Sequence, residues 1–130
     1  YLRTSRGGSA LERLCRALGL DEAAWQDREV LAPCFRASRI AGTTGAGDCT
    51  IAGLLAALLR GDDPVAAVTA ATAVGACSVE EPDATSGVPP WSDVAARIAR
   101  GWARAELAAA LGSGAGWRRD SRGTPGCSCP

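Results

Sequence analysis

Apolar residues recur at helical spacing along most of the chain, and glycine, proline and aspartate punctuate the runs. The clearest run has Ile51, Leu54, Leu55, Leu58 and Leu59 at i, i+3, i+4, i+7 and i+8, which is one face of an amphipathic helix. Gly61 follows as its C′ residue, and Arg60 puts a cation in the last turn. A second helix is predicted from about Pro64 to Val79, with Pro64 in the first helical position and Asp62 or Asp63 as cap. It carries Val65, Val68, Thr72, Ala76 and Val79 on one side, and its Ala content and Gly75 let neighbours come close. Upstream, Leu11, Leu14, Cys15 and Leu18 predict a short amphipathic helix that ends near Gly19. Asp21 caps a brief helix holding Trp25, read as a packing residue. A last helix opens at Trp91-Ser92-Asp93 with Ser92 as cap and continues through Val94, Ala95, Ile98 and Trp102. Gly101 weakens it by about 1 kcal/mol against Ala, and residues 103–111 extend it.

The remaining segments read as extended or irregular. Tyr1 to Thr4 is the end of a strand, followed by a Gly/Ser turn over residues 5–9. Residues 30–35 and 36–40 are extended, and Pro33 belongs at a strand start or edge. Residues 80–90 form a loop bounded by Pro and Gly. Past Gly112 periodicity ends and Gly, Ser, Arg and Pro dominate, so residues 112–130 are expected to be a disordered tail after a domain over residues 1–111.

Composition narrows the function classes. A chain of 130 residues with 47% hydrophobic and 22% charged residues fits one soluble globular domain. Fourteen cations, all Arg, balance fourteen anions, which gives neither a nucleic-acid footprint nor a polybasic membrane surface. No apolar run is long enough to span a membrane, and no signal-peptide pattern opens the chain, so a cytoplasmic location is expected. There is no His, which removes Ser-His-Asp and Cys-His catalysis. Of the six Cys, Cys15, Cys34, Cys49 and Cys77 read as small core or near-core hydrophobes in a reducing compartment; Cys127 and Cys129 lack companion ligands for a metal site.

The chemistry concentrates ahead of the Leu-striped helix, in Gly42-Thr43-Thr44-Gly45-Ala46-Gly47-Asp48. The first amides of a helix have no partner inside it and carry partial positive charge. Small residues there let an anionic oxygen approach the backbone. A carboxylate at the lip of such a pocket repels the anion that the amides attract. The combination makes sense if the amides hold charge on a phosphoryl group while Asp48 accepts a proton from the attacking hydroxyl. A structural role stands beside this one, because Asp is also a favoured N-cap and Gly is common before helices. The glycines at 42, 45 and 47 fit neither a P-loop nor a dinucleotide fingerprint. Arg36 and Arg39 lie near enough in sequence to reach a phosphate, but solvated strand-edge charge is the expected role.

The heptapeptide and the helix after it resemble the second signature of the ribokinase-like (PfkB) family of carbohydrate kinases, usually Asp-Thr-x-Gly-Ala-Gly-Asp. The flanks are similar too: Ala32-Pro33-Cys34-Phe35-Arg36 resembles the strand before the signature, and the stretch from Ala66 to Val79 with Ser86-Gly87-Val88-Pro89 resembles the segments after it. The resemblance spans roughly Tyr1 to Arg104. It implies an α/β fold, the C-terminal part of a three-layer ribokinase-like domain with a mainly parallel sheet, incomplete at the N-terminus. It further implies Asp48 as general base, an anion hole from Gly45, Ala46, Gly47 and the Asp48 amide with Thr43 and Thr44 beside it, and ATP with Mg²⁺ as phosphoryl donor. The acceptor is a small sugar-like alcohol, and a homodimer is compatible with the full-length form. The helix ending at Val79 and the loop after it would line one side of an adenosine pocket. Gly42 stands where the family often has the Asp that helps hold a monovalent cation, so K⁺ dependence is left open; Ser86 is the nearest match to the loop part of that site. The rival reading is a truncated, non-catalytic binding or regulatory module of kinase descent.

Overall fold

Capping residues set most of the helix ends. The computed structural model describes residues 1–105, 118–119 and 125–128. In chain order these contain β1 (Leu2–Arg3), α1 (Ser9–Leu18), α2 (Glu22–Trp25), β2 (Arg28–Val30), α3 (Ala46–Leu59), α4 (Pro64–Ser78), α5 (Trp91–Ala99), β3 (Arg118–Arg119) and β4 (Pro125–Ser128). They divide into two compact units. One holds Tyr1–Ala32, Ala57–Thr69 and the two C-terminal strands; the other holds Pro33–Ala56 with residues 70–105.

In the first unit, α1 stops at Gly19, whose φ of 67° lies in the left-handed region. Asp21 then accepts the Ala23 amide at 3.0 Å and starts α2. Leu11, Cys15, Leu20, Trp25 and Val30 are buried, which confirms Trp25 as a packing residue. The C-terminus of α3 closes as a Schellman motif. Gly61 takes φ 81°, its amide donates to Leu58 at 3.0 Å, and the Asp62 amide donates to Ala57 at 3.1 Å. Asp63 caps α4, accepting the Val65 and Ala66 amides at 2.8 and 2.9 Å, and Pro64 takes the first helical position as expected.

The sheet of this unit runs β1-β2-β4-β3. Arg3 stands opposite Glu29 across β1 and β2, and the two make an ion pair at 3.0 Å. Every described pairing is antiparallel, so the mainly parallel sheet implied by the family resemblance is not among the described strands. Most of the segment read as a disordered tail lies outside the described residues; within it, Arg118–Arg119 and Pro125–Ser128 are strands, and β4 pairs with β2.

In the second unit, α4 supplies the centre. From Ala70 to Ser78 every residue but Thr72 is buried, so the one-sided stripe expected for this helix gives way to burial nearly all round. Phe35, Cys49, Ala73, Val74, Ala76 and Val94 form the core, with Ile98 and Trp102 packed against it. The face that α3 buries is its small one. A Cβ on Gly53 would stand 2.9 Å from Val74 Cβ, and one on Gly75 would stand 2.1 Å from Thr50 Oγ1. Ile51 and Leu55, expected on the inward face, are 58% and 54% exposed. Helices with Gly and Ala at the contact approach closely, and that approach turns the bulkier stripe outward.

Three further expectations do not hold. Pro90, not Ser92, precedes α5, and Ser92 lies inside the helix with its hydroxyl 3.4 Å from Asp93. The helix ends at Ala99 and does not run on through residue 105, because Gly101 takes φ 82° and reverses the chain. Residues 103–105 then lie antiparallel to Cys34–Arg36: the Arg36 amide donates to Ala103 at 2.8 Å, and the Ala105 amide to Cys34 at 2.7 Å. Cys34, read as a core or near-core residue, is exposed while Phe35 beside it is buried, the alternation expected of an extended segment; Cys15, Cys49 and Cys77 are buried free thiols. Among the described residues, no helix is long and apolar enough to cross a membrane.

Candidate active site

The signature turn leads directly into the first turn of α3. Gly45 precedes the helix with φ 77°, a conformation that suits glycine, and a Cβ there would lie 2.7 Å from the Ala84 Cβ. A Cβ on Gly42 would lie 2.7 Å from the Pro82 carbonyl oxygen. Both glycines are therefore fixed by close contact with the loop over residues 82–84. The buried Cys49 thiol adds a third tie, donating to the Ala84 carbonyl at 3.2 Å.

The first-turn amides are unequal. The Ala46 amide donates to Thr43 at 3.3 Å, and the Cys49 amide to Gly45 at 2.8 Å. Those of Gly47 and Asp48, between them, find no partner among the described residues. A Cβ on Gly47 would meet nothing within 4 Å outside its own helix turn, so the space into which a side chain would project is open. Asp48 occupies the third position of α3, and its side chain is exposed. Thr43 and Thr44 are exposed on the approach to the helix. Asp48 and the Gly47 and Asp48 amides are thus brought together at one accessible helix end, while the Ala46 amide is turned back into the turn.

Beside this end lies a cleft of about 620 Å³, lined among others by Phe35, Ile40, Ala46, Gly47, Thr50 and Val79. Its walls are predominantly apolar. Asp48 is not part of its lining.

Ser86, the candidate cation ligand, is bonded to Asp83 through both its hydroxyl and its amide, the amide at 2.8 Å, and the Thr85 amide joins at 2.9 Å. The Ser86 hydroxyl and these amides hold the Asp83 carboxyl at about 2. Among the described residues, no group of three His, Cys, Asp or Glu side chains is arranged to hold a metal.

A polar cluster that no sequence pattern singled out lies behind the turn. Glu80 accepts both terminal nitrogens of Arg97, at 2.7 and 2.8 Å, and also the Ser38 amide and hydroxyl at 2.6 and 2.9 Å. The Arg97 guanidinium, against the opposing effect of burial and with help from Ser38, holds the Glu80 carboxyl at about 2. Arg97 lies 3.5 Å over the Trp102 ring, Trp102 stacks on Phe35 at 4.7 Å, and Arg104 lies 4.3 Å over Phe35. Trp102 Nε1 donates to the Arg36 carbonyl at 2.7 Å. Arg39 is not a free strand-edge charge, since its Nε donates to the Glu80 carbonyl and it pairs with Glu81. The hydrogen-bonded partners lie 17 to 66 residues apart, and local patterning carries no signal of that kind.

A glycine-fixed turn thus presents two open helix amides and an exposed carboxylate at one helix end. The chain belongs to the pfkB family of carbohydrate kinases, whose model matches residues 16–91 and so includes the whole signature. Comparison with curated proteins and with solved structures gave no match.

Proposed function

We propose that the chain carries the phosphoryl-transfer end of an ATP-dependent carbohydrate kinase. A hydroxymethyl oxygen of a sugar-like acceptor attacks the γ-phosphorus of ATP, and the bond from that phosphorus to the β,γ-bridging oxygen breaks. Asp48 takes the hydroxyl proton. The amides of Gly47 and Asp48 stabilise the charge that gathers on the phosphoryl oxygens; Gly45 and Ala46 shape the turn, and Thr43 and Thr44 flank it. Mg²⁺ accompanies the nucleotide. The first position of the motif is Gly42, which has no side chain to offer K⁺. The cytoplasm, where ATP is supplied, is the fitting location.

The supporting observation is the pairing of an exposed Asp48 with two unpartnered amides and open space at Gly47. The test is a phosphotransfer screen with MgATP over sugars, sugar acids and nucleosides, comparing the native protein with Asp48→Asn. Loss of a general base lowers turnover by about 10²–10⁴-fold. Near-native turnover by Asp48→Asn sinks the assignment.

A second reading, a non-catalytic module of kinase descent, is favoured by the exposure of Ile51 and Leu55 on α3. It predicts no turnover with any acceptor in the same screen.

A further inference from the structure

The segment that delivers the signature turn, residues 38–42, has no regular secondary structure. Its described tethers converge on one place, the end of α4. The Ala41 amide donates to the Val79 carbonyl at 2.9 Å and the Gly42 amide to the same oxygen at 3.4 Å. Arg39 Nε donates to the Glu80 carbonyl at 2.7 Å. Ser38 gives both its amide and its hydroxyl to the Glu80 carboxylate. That carboxylate is 18% exposed and is fixed from the other side by the two nitrogens of Arg97, which is itself stacked on Trp102. A carboxylate oriented by a planar guanidinium has little freedom to follow Ser38 if the segment shifts.

We propose that Glu80 is a positioning residue for the signature turn: through Ser38 it fixes the path of residues 38–42, and hence the direction from which Gly45 enters α3 and the Gly47 and Asp48 amides face the phosphoryl group. The part concerning phosphoryl transfer rests on the proposed kinase reading; the geometric part does not. Glu80 touches neither the amides nor Asp48, so its effect on chemistry is carried by the backbone between. Arg97 serves as its counterion and anchor.

The test uses the full 130-residue chain as native protein, Glu80→Gln, Ser38→Ala and Ser38→Thr. Amide hydrogen exchange is followed residue by residue by NMR, with the core amides of α4 as the global reference, and MgATP is titrated against the Gly47 and Asp48 signals. In Glu80→Gln and Ser38→Ala, the Ala41 and Gly42 amides should exchange about tenfold faster while the α4 core is unchanged. Ser38→Thr, which keeps the hydroxyl, should match the native chain. In the phosphotransfer assay, kcat of the first two variants should fall about tenfold with the acceptor KM unmoved, since the binding surface for the acceptor is untouched. Unchanged exchange at Ala41 and Gly42, or equal acceleration of every amide, overturns the proposal. Should Glu80→Gln not fold, Ser38→Ala leaves the Arg97 pair intact and decides the matter. A native chain with neither MgATP shifts nor turnover defeats the kinase reading alone, and the exchange comparison still decides the role of Glu80.

Discussion

Thr50 Oγ1 occupies the space into which a side chain on Gly75 would grow, 2.1 Å from where that Cβ would stand. The hydroxyl is held in place, donating to the Ala46 carbonyl one turn earlier in α3 at 2.8 Å. The contact links the first turns of the signature helix to the buried centre of α4. Gly75→Ala would drive a methyl into a fixed oxygen and should cost about 1–3 kcal/mol, read as a lowered urea midpoint. Removing the oxygen should relieve the clash. Thr50→Ala combined with Gly75→Ala is therefore expected to be more stable than Gly75→Ala alone, a non-additivity that equilibrium unfolding measures directly.

The same contact explains why the hydrophobic stripe of α3 misleads. Ile51 and Leu55 sit at ideal spacing for a buried stripe, and burial of large side chains is the ordinary expectation. What decided the orientation was the small set, Cys49, Gly53 and Gly75, which permits backbone approach that no leucine face allows. Periodicity weights a residue by its hydrophobicity and is nearly blind to such close approach. Features that depend on a few adjacent residues were legible: the Gly19 and Gly61 helix ends, the Asp21 and Asp63 caps, and the signature turn itself. The Gly101 reversal, which lets residues 103–105 return to Cys34–Arg36, needs a partner strand 66 or more residues away and could not be read locally. The Glu80 cluster was hidden for the same reason.

Exposure of the stripe makes its own prediction. Leu55→Gln changes a side chain that is 54% exposed, and unfolding of the chain should shift by no more than about 0.5 kcal/mol. Gly53→Ala, two residues earlier on the packed face, puts a methyl 2.9 Å from Val74 Cβ and should cost about 1–3 kcal/mol. If Leu55→Gln proves the more damaging of the two in equilibrium unfolding, α3 packs through its leucine stripe and not through its glycine face.

Glu80 makes stability pH-dependent. Its carboxyl is held at about 2 in the folded chain, below the ordinary value of 4.5. A depressed folded value means that the unfolded state binds the proton first. The stabilisation is therefore complete above about pH 4.5 and is lost as pH falls toward 2. Urea unfolding at intervals from pH 6 to pH 2.5 should show this loss in the native chain. Glu80→Gln should be less stable at pH 6 by about 1–3 kcal/mol and should lose less on acidification, so that the two curves converge at low pH.

The two inner glycines of the signature separate folding from function. Gly45 has φ 77° and Ala84 packed against it, so Gly45→Ala meets both backbone strain and a 2.7 Å contact. It should lower stability by about 1–3 kcal/mol. Gly47 lies inside the helix with open space where a Cβ would project, and there Ala is the better helix former by about 1 kcal/mol. Gly47→Ala is thus expected to fold as well as the native chain or better. Yet the methyl would add bulk at the helix end that carries the Gly47 and Asp48 amides. If those amides receive a phosphoryl group, Gly47→Ala should weaken MgATP binding and slow phosphotransfer by about 10-fold or more while its melting temperature is unchanged or raised. A capping role for the motif predicts the opposite pairing, since a helix that merely needs a good start gains from the alanine and no ligand is there to lose. Thermal unfolding and nucleotide titration on this one variant therefore tell the two roles of the signature apart.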